Sequence, residues 1–130
     1  MIKIISPLFL QLSKGAKGKK YYLNLNNYRN WHYIVSNNLK KAYKELMKSE
    51  LGDLDITGRI EIKFLLIRGD SRKVDRANVL SVHEKFFCDA LVELGCIEDD
   101  NDKFIVRTIY ESGEIDRGNG RVEIFISSVD

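Results

Sequence analysis

What most limits how this chain can fold is the stretch 73–102, K-V-D-R-A-N-V-L-S-V-H-E-K-F-F-C-D-A-L-V-E-L-G-C-I-E-D-D-N-D, one strong helix with acids at both ends. Val79, Val82, Phe86, Phe87, Ala90, Leu91 and Leu94 recur at spacings of three and four, the stripe of a helix lying on a core. Asp75 or Asn78 suits its N-cap and Gly95 its stop. Glu98, Asp99, Asp100 and Asp102 crowd the loop beyond. A helix C-terminus is already partly negative, so these carboxylates need a compensating cation: solvent counterions, Lys or Arg, or a divalent metal.

The rest of the chain supplies layers for that helix to rest on. Residues 2–12 read as a first strand, the Gly/Lys stretch 13–20 as a hairpin tip, and 21–25 as the returning strand. The turn formers from Asn24 to Asn30 predict a loop. A helix follows over 31–47, with Trp31, Val35, Leu39, Ala42, Tyr43 and Leu46 as its buried stripe and Lys40, Lys41, Lys44 and Lys48 largely on other faces. R-I-E-I-K-F-L-L-I-R, residues 59–68, begins as alternation and ends as an apolar run, the pattern of a central strand. Two more strands, 104–110 and 121–127, flank a glycine-bearing turn and are expected to form a hairpin. This order predicts an α+β fold: one mixed or largely antiparallel sheet with two helices on one face, in a single domain over residues 1–130. The active site is then expected where the loop after the third strand approaches the loop after the second helix.

The formal net charge of +2 conceals an asymmetry, because residues 1–50 carry ten Lys or Arg against two Glu, and residues 51–130 carry eleven against seventeen acids. A basic half beside an acidic half suits a protein that grips phosphates with one surface and holds a metal with another, although a solvated mixed-charge surface fits equally. Cys88 and Cys96, the only two cysteines, read as reduced thiols in a cytoplasmic protein, without a disulfide or a zinc site. The apolar start, residues 2–12, is too short and too polar for a membrane span.

Asp75 stands a full helix away from Asp99 and Asp100, about 25 Å at 1.5 Å per residue. The acids can meet within one chain only if the acidic loop folds back, and otherwise across a dimer. Two or three aspartates suffice for magnesium, which would polarise a phosphodiester and lower the pKa of water. Set against this, Asp75 suits a cap and Asp99 and Asp100 suit a polar turn. Lys85 lies one turn before Asp89, which fits either a surface ion pair or a lysine on a scissile phosphate. His32 and His83 have no partner at ligand spacing, and His83 is expected on the helix surface.

Taken as an ordered set, Asp75-Arg76-Ala77-Asn78, Lys85, Asp89-Ala90-Leu91, Gly95 and Asp99-Asp100 resemble the central motif of the RusA family of Holliday junction resolvases. That motif runs Asp-x-Asp-Asn, Lys, Asp-Ala-Leu, Gly, Asp-Asp. Asn26-Asn27-Tyr28-Arg29 resembles the family's loop before the first helix, and Gly120-Arg121-Val122-Glu123-Ile124 its closing strand. The resemblance implies a magnesium-dependent endodeoxyribonuclease that resolves four-way and branched DNA as a homodimer. It implies Asp75, Asp99 and Asp100 as Mg2+ ligands and catalytic residues and Lys85 as the catalytic lysine. DNA contacts are expected from Lys17, Lys19, Lys20, Asn27, Tyr28, Arg29, Arg72 and Lys73. Two departures stand out. Ala77 replaces the motif's second aspartate, and Lys85 follows Asn78 about one helical turn late. Asp70 and Glu84 are the substitutes at hand, and a branched-DNA-binding protein without cleavage is the alternative.

Overall fold

The computed structural model describes residues 1–12 and 18–129. In chain order its elements are β1 (Ile2–Pro7), β2 (Phe9–Leu10), β3 (Tyr21–Tyr22), α1 (Leu25–Asn30), α2 (Tyr33–Leu51), β4 (Ile60–Ile67), α3 (Arg76–Glu93), β5 (Ile105–Ser112) and β6 (Arg121–Ser128). The fold is α+β, with a mixed four-stranded sheet in the order β1-β6-β4-β5 and a separate two-stranded pair, β2 with β3.

Alternation decides which face of the sheet is covered. Ile60, Ile62, Phe64 and Leu66 of β4 and Val122, Ile124 and Ile126 of β6 are buried and share one face with Ile4 and Ser6 of β1. Phe64 meets Phe87 of α3 edge-on on that face, with ring centroids 6.1 Å apart. The opposite face carries paired charges instead, including Glu61 with Arg107, Lys63 with Glu111, and Lys3 with Glu123.

Three expectations of the element order and pairing need correction. The last two strands are not a hairpin: α3 returns the chain so that β5 lies parallel to β4, and β6 then pairs antiparallel on β4's other side. The physical reason is β4's closing run Phe64–Leu65–Leu66–Ile67, apolar on both faces, which gains most by having a strand on each flank. The connection wraps the end of β4, where Gly113, Asp116 and Gly118 donate to the carbonyls of Leu66, Arg68 and Gly69. Gly69 and Gly120 pack backbone to backbone there, since a Cβ on Gly120 would stand 3.0 Å from the Gly69 nitrogen. The sheet is also not single, because the chain breaks after Pro7, which cannot donate to a ladder, and restarts as β2.

The third correction is a third helix. The Asn-rich stretch expected as a loop forms the short α1, because Asn24 caps it by accepting from the Asn27 N–H at 2.9 Å. α2 starts after a His32 cap and runs to Leu51, so its buried row is Leu39, Tyr43, Met47 and Leu51, while Leu46 is exposed. α3 matches the expected helix, and Val79, Val82, Phe86, Phe87, Ala90 and Leu91 are buried as its periodicity predicts. His83, expected on the surface, is fully buried instead. Its Nδ1 lies 2.9 Å from Ser6 Oγ, which is also 2.7 Å from the Tyr43 hydroxyl, so one serine ties β1, α2 and α3 together.

Candidate functional site

The 18 residues of α3 make a rod of about 27 Å, and the expected site residues distribute along it into two clefts. At its N-terminal end a cleft of about 480 Å³ is lined by Asn24, Asn26, Arg68, Asp70, Arg72, Lys73, Asp75 and Asn78, over apolar Leu8, Leu66 and Val79. Further along, a more polar cleft of about 380 Å³ is lined by Tyr28, Lys40, Glu84, Lys85, Cys88, Asp89, Asp100, Asp102, Ile105 and Thr108. The loop after β4 thus lines the first cleft and the acidic loop the second. Asn26 stands in the first wall and Tyr28 in the second, both from α1, which packs on α3.

The acidic loop does fold back along the helix, and the reason is local. Gly95 takes φ +77°, which suits a residue without Cβ, and the Cys96 N–H then donates to the Leu91 carbonyl at 2.8 Å. Cys96 and Ile97 bury their side chains, so the chain reverses against the helix end. Asp99 is used inside this turn, accepting from the Asp100 N–H at 2.7 Å and from the Asn101 amide at 3.0 Å. Asp100 and Asp102 reach the cleft, Asp99 does not line it, and Asp75 stays at the far end as the cap of α3, accepting from the Ala77 N–H. Of the two carboxylates considered as substitutes, Asp70 is clamped by Arg72 at 2.8 Å, and Glu84 faces the acid cleft.

Charges in the acid cleft are close enough to perturb one another. Burial, with Asp100 and Glu93 nearby, pushes the Asp89 carboxyl upward, against the opposing pull of Lys40 and Lys85. The Cys88 thiol is pushed up to about 12 by burial and then by Glu84, Asp100 and Asp89. Glu84 accepts a short hydrogen bond from the Tyr110 hydroxyl of β5, and burial together with that bond raises the phenol. Lys85 is exposed and has no ion-pair partner among the described residues, so the expected pair with Asp89 does not form. Among the described residues no three His, Cys, Asp or Glu side chains form a cluster ready for a metal ion. The donors that line the cleft are carboxylate oxygens, the type magnesium takes.

The expected DNA contacts scatter over the same side chains and loops. Lys17 lies outside the described residues. Lys19 and Lys20 sit over the rings of Tyr21 and Phe9, at 5.0 and 4.8 Å from their centroids. Asn27 donates its side-chain amide to the Tyr22 carbonyl of β3 at 3.3 Å, and Arg29 is exposed in the last turn of α1. Tyr28 walls the acid cleft with Lys40 above its ring, and Arg72 and Lys73 edge the other cleft. Tyr110 and Thr108 were not anticipated, and the one signal for them is the alternation of β5, which turns both toward the helices.

The chain matches no protein-family model, and no curated protein matches it in sequence.

Proposed function

We propose that this protein is a magnesium-dependent endodeoxyribonuclease that cuts branched, four-way DNA as a homodimer, with the acid cleft as its catalytic centre. The observation that carries the reading is one cleft holding an unpaired Lys85 beside Glu84, Asp89 and Asp100. With Asp102 it has four carboxylates against Lys40 and Lys85, an excess of negative charge that one divalent cation would offset. Glu84 and Asp100, with waters completing the shell and Asp89 beside them, would hold the ion, in place of the set with Asp75 and Asp99 that the motif implies. When bound, magnesium would polarise a phosphodiester and lower the pKa of a bound water.

The chain's own residues do the remainder. The Lys85 ammonium holds the scissile phosphate against the carboxylates and offsets charge developing on it. Lys40, Lys19, Lys20, Arg29 and Lys73 grip flanking phosphates without reading sequence. Tyr110 fixes the Glu84 carboxylate through its hydroxyl, as outer partners fix ligands elsewhere. Asp75 acts as a helix cap that frames the first cleft.

The test is a synthetic four-way junction and the matching linear duplex, each with and without magnesium, with cuts mapped. Paired nicks in the junction alone, lost in Lys85→Ala and Asp100→Asn and retained in Asp75→Asn, are expected. Tight junction binding with no nicks would make this a recognition module, and no preference for branched DNA would refute the reading.

A further inference from the structure

β5 is the terminal strand of the sheet, and beyond its outer edge the described residues place no neighbour. An open edge of this length is a template for another strand. The other edge strand, β1, ends in Pro7 and runs beside α2, with Ile5, Leu46 and Met47 around one shallow groove. β5 has no proline; its one irregularity is at Val106, after which Arg107–Ser112 pairs with β4 without a break.

A second copy of the same strand can join that edge antiparallel about a two-fold axis normal to the sheet. Opposite residues then share a face, so only registers pairing like faces are allowed. Centring the axis on Arg107 or Glu111 sets like charges face to face. Centring it on Thr108 or Tyr110 sets an isoleucine against a charge or leaves the charges unmatched. Centring it on Ile109 sets Arg107 opposite Glu111 twice, with Ile109 opposite itself; all three lie on the charge-bearing face, as their partners Glu61, Lys63 and Leu65 do. Arg107 and Glu111 pair within the chain with Glu61 and Lys63, but both remain well exposed, with side-chain accessibilities of 66% and 51%, so each can add a partner across the edge.

We infer that β5 pairs with β5 of a second copy, centred on Ile109, to make a continuous eight-stranded sheet with all helices on one face. Charge complementarity along the strand selects both the occupant and the register. Thr108 and Ile105 line the acid cleft, and in this pairing Thr108 faces Tyr110 of the second copy. The two Thr108 residues then stand about 8 Å apart, from the strand spacing and rise. The second copy's β5 then runs beside the Thr108 wall of each acid cleft. This assigns an interface to the homodimer of the proposed function, but it rests on the strand itself and holds whether or not DNA is cut.

The experiment reads association, not cleavage, by sedimentation equilibrium of the full chain. Arg107→Glu and Glu111→Arg should each weaken self-association on the order of 100-fold, because each sets like charges opposite twice. Mixing the two variants should restore a dimer, since each then supplies what the other lacks; a fold check by circular dichroism covers the loss of the Glu61–Arg107 pair. Ile109→Cys, opposite itself on the axis, should cross-link under mild oxidation, while Ile5→Cys on β1 should not. A wild-type chain that stays monomeric, charge variants that associate normally, or cross-linking through Ile5→Cys alone would overturn the interface.

Discussion

Ser6→Ala removes a single oxygen, yet it should cost more than removing the larger hydroxyl it bonds. Ser6, Tyr43 and His83 are each 0% exposed, and the serine Oγ is partner to both the Tyr43 hydroxyl at 2.7 Å and His83 Nδ1 at 2.9 Å. His83 Nε2 has no partner of its own. Without the serine, two buried polar groups lose their only partner, at about 1–3 kcal/mol each, so a net loss of about 2–4 kcal/mol is expected. Tyr43→Phe leaves the Ser6–His83 bond in place and should cost about 1 kcal/mol. Urea unfolding at pH 7 separates the two: with a slope of about 2 kcal/mol per molar, Ser6→Ala lowers the midpoint by about 1–2 M and Tyr43→Phe by about 0.5 M. In a double-mutant cycle the serine change should cost about 1 kcal/mol less when Tyr43 is already Phe. If Ser6→Ala costs no more than Tyr43→Phe, the serine is not the shared partner and the junction of β1, α2 and α3 is held by shape alone.

Three further outcomes can be measured. Burial drives His83 down to about 3, against an unfolded value of about 6.5, so the unfolded chain binds the extra proton in that window. Stability should therefore be complete above pH 6.5 and be lost as pH falls toward 3, by up to about 5 kcal/mol from this residue; His83→Phe should flatten that slope, and an unchanged slope assigns the acid sensitivity elsewhere. Gly120→Ala would put a Cβ 2.6 Å from Leu8 Cδ1 and 3.0 Å from the Gly69 nitrogen, and should lower stability by about 1–3 kcal/mol, seen as a fall in Tm of several degrees; an unchanged Tm would show the two turns free to separate. Tyr110→Phe removes the donor to Glu84 and should weaken Mg2+ or Mn2+ binding, read by calorimetry, about 10-fold, whereas equal affinity would leave Glu84 without a role at the ion.

The two most periodic segments, α3 and β4, could be read from sequence because their own side chains specify which face is buried. Pairing partners could not be read in the same way. Two strands joined by a ten-residue turn suit a hairpin, and what breaks it is a competition for β4, whose apolar end takes a neighbour on each side and so draws β6 to one and β5 to the other. The only hint was that same run, apolar at consecutive positions, which called for two flanking strands rather than one. The Asn-rich stretch was misread because the residues that favour turns also cap helices, and Asn24 does the latter.

The candidate site shows the same limit at the level of charge. Sequence spacing set Asp75 and Asp100 a helix apart, and the structure keeps them apart, but it could not say where along that helix the acidic loop would return. That is decided by two residues with no acid–base role, since burying Cys96 and Ile97 fixes the reversal after Gly95. The return sets Asp100 and Asp102 beside Lys40, Lys85 and Asp89. The carboxylates past the helix end thereby share a cleft with two lysines that the same fold brings there, one from α2 and one from α3. The cations that answer the acids come from helices whose packing, and not whose charge, was the legible part of the sequence, so the core determines which charges meet.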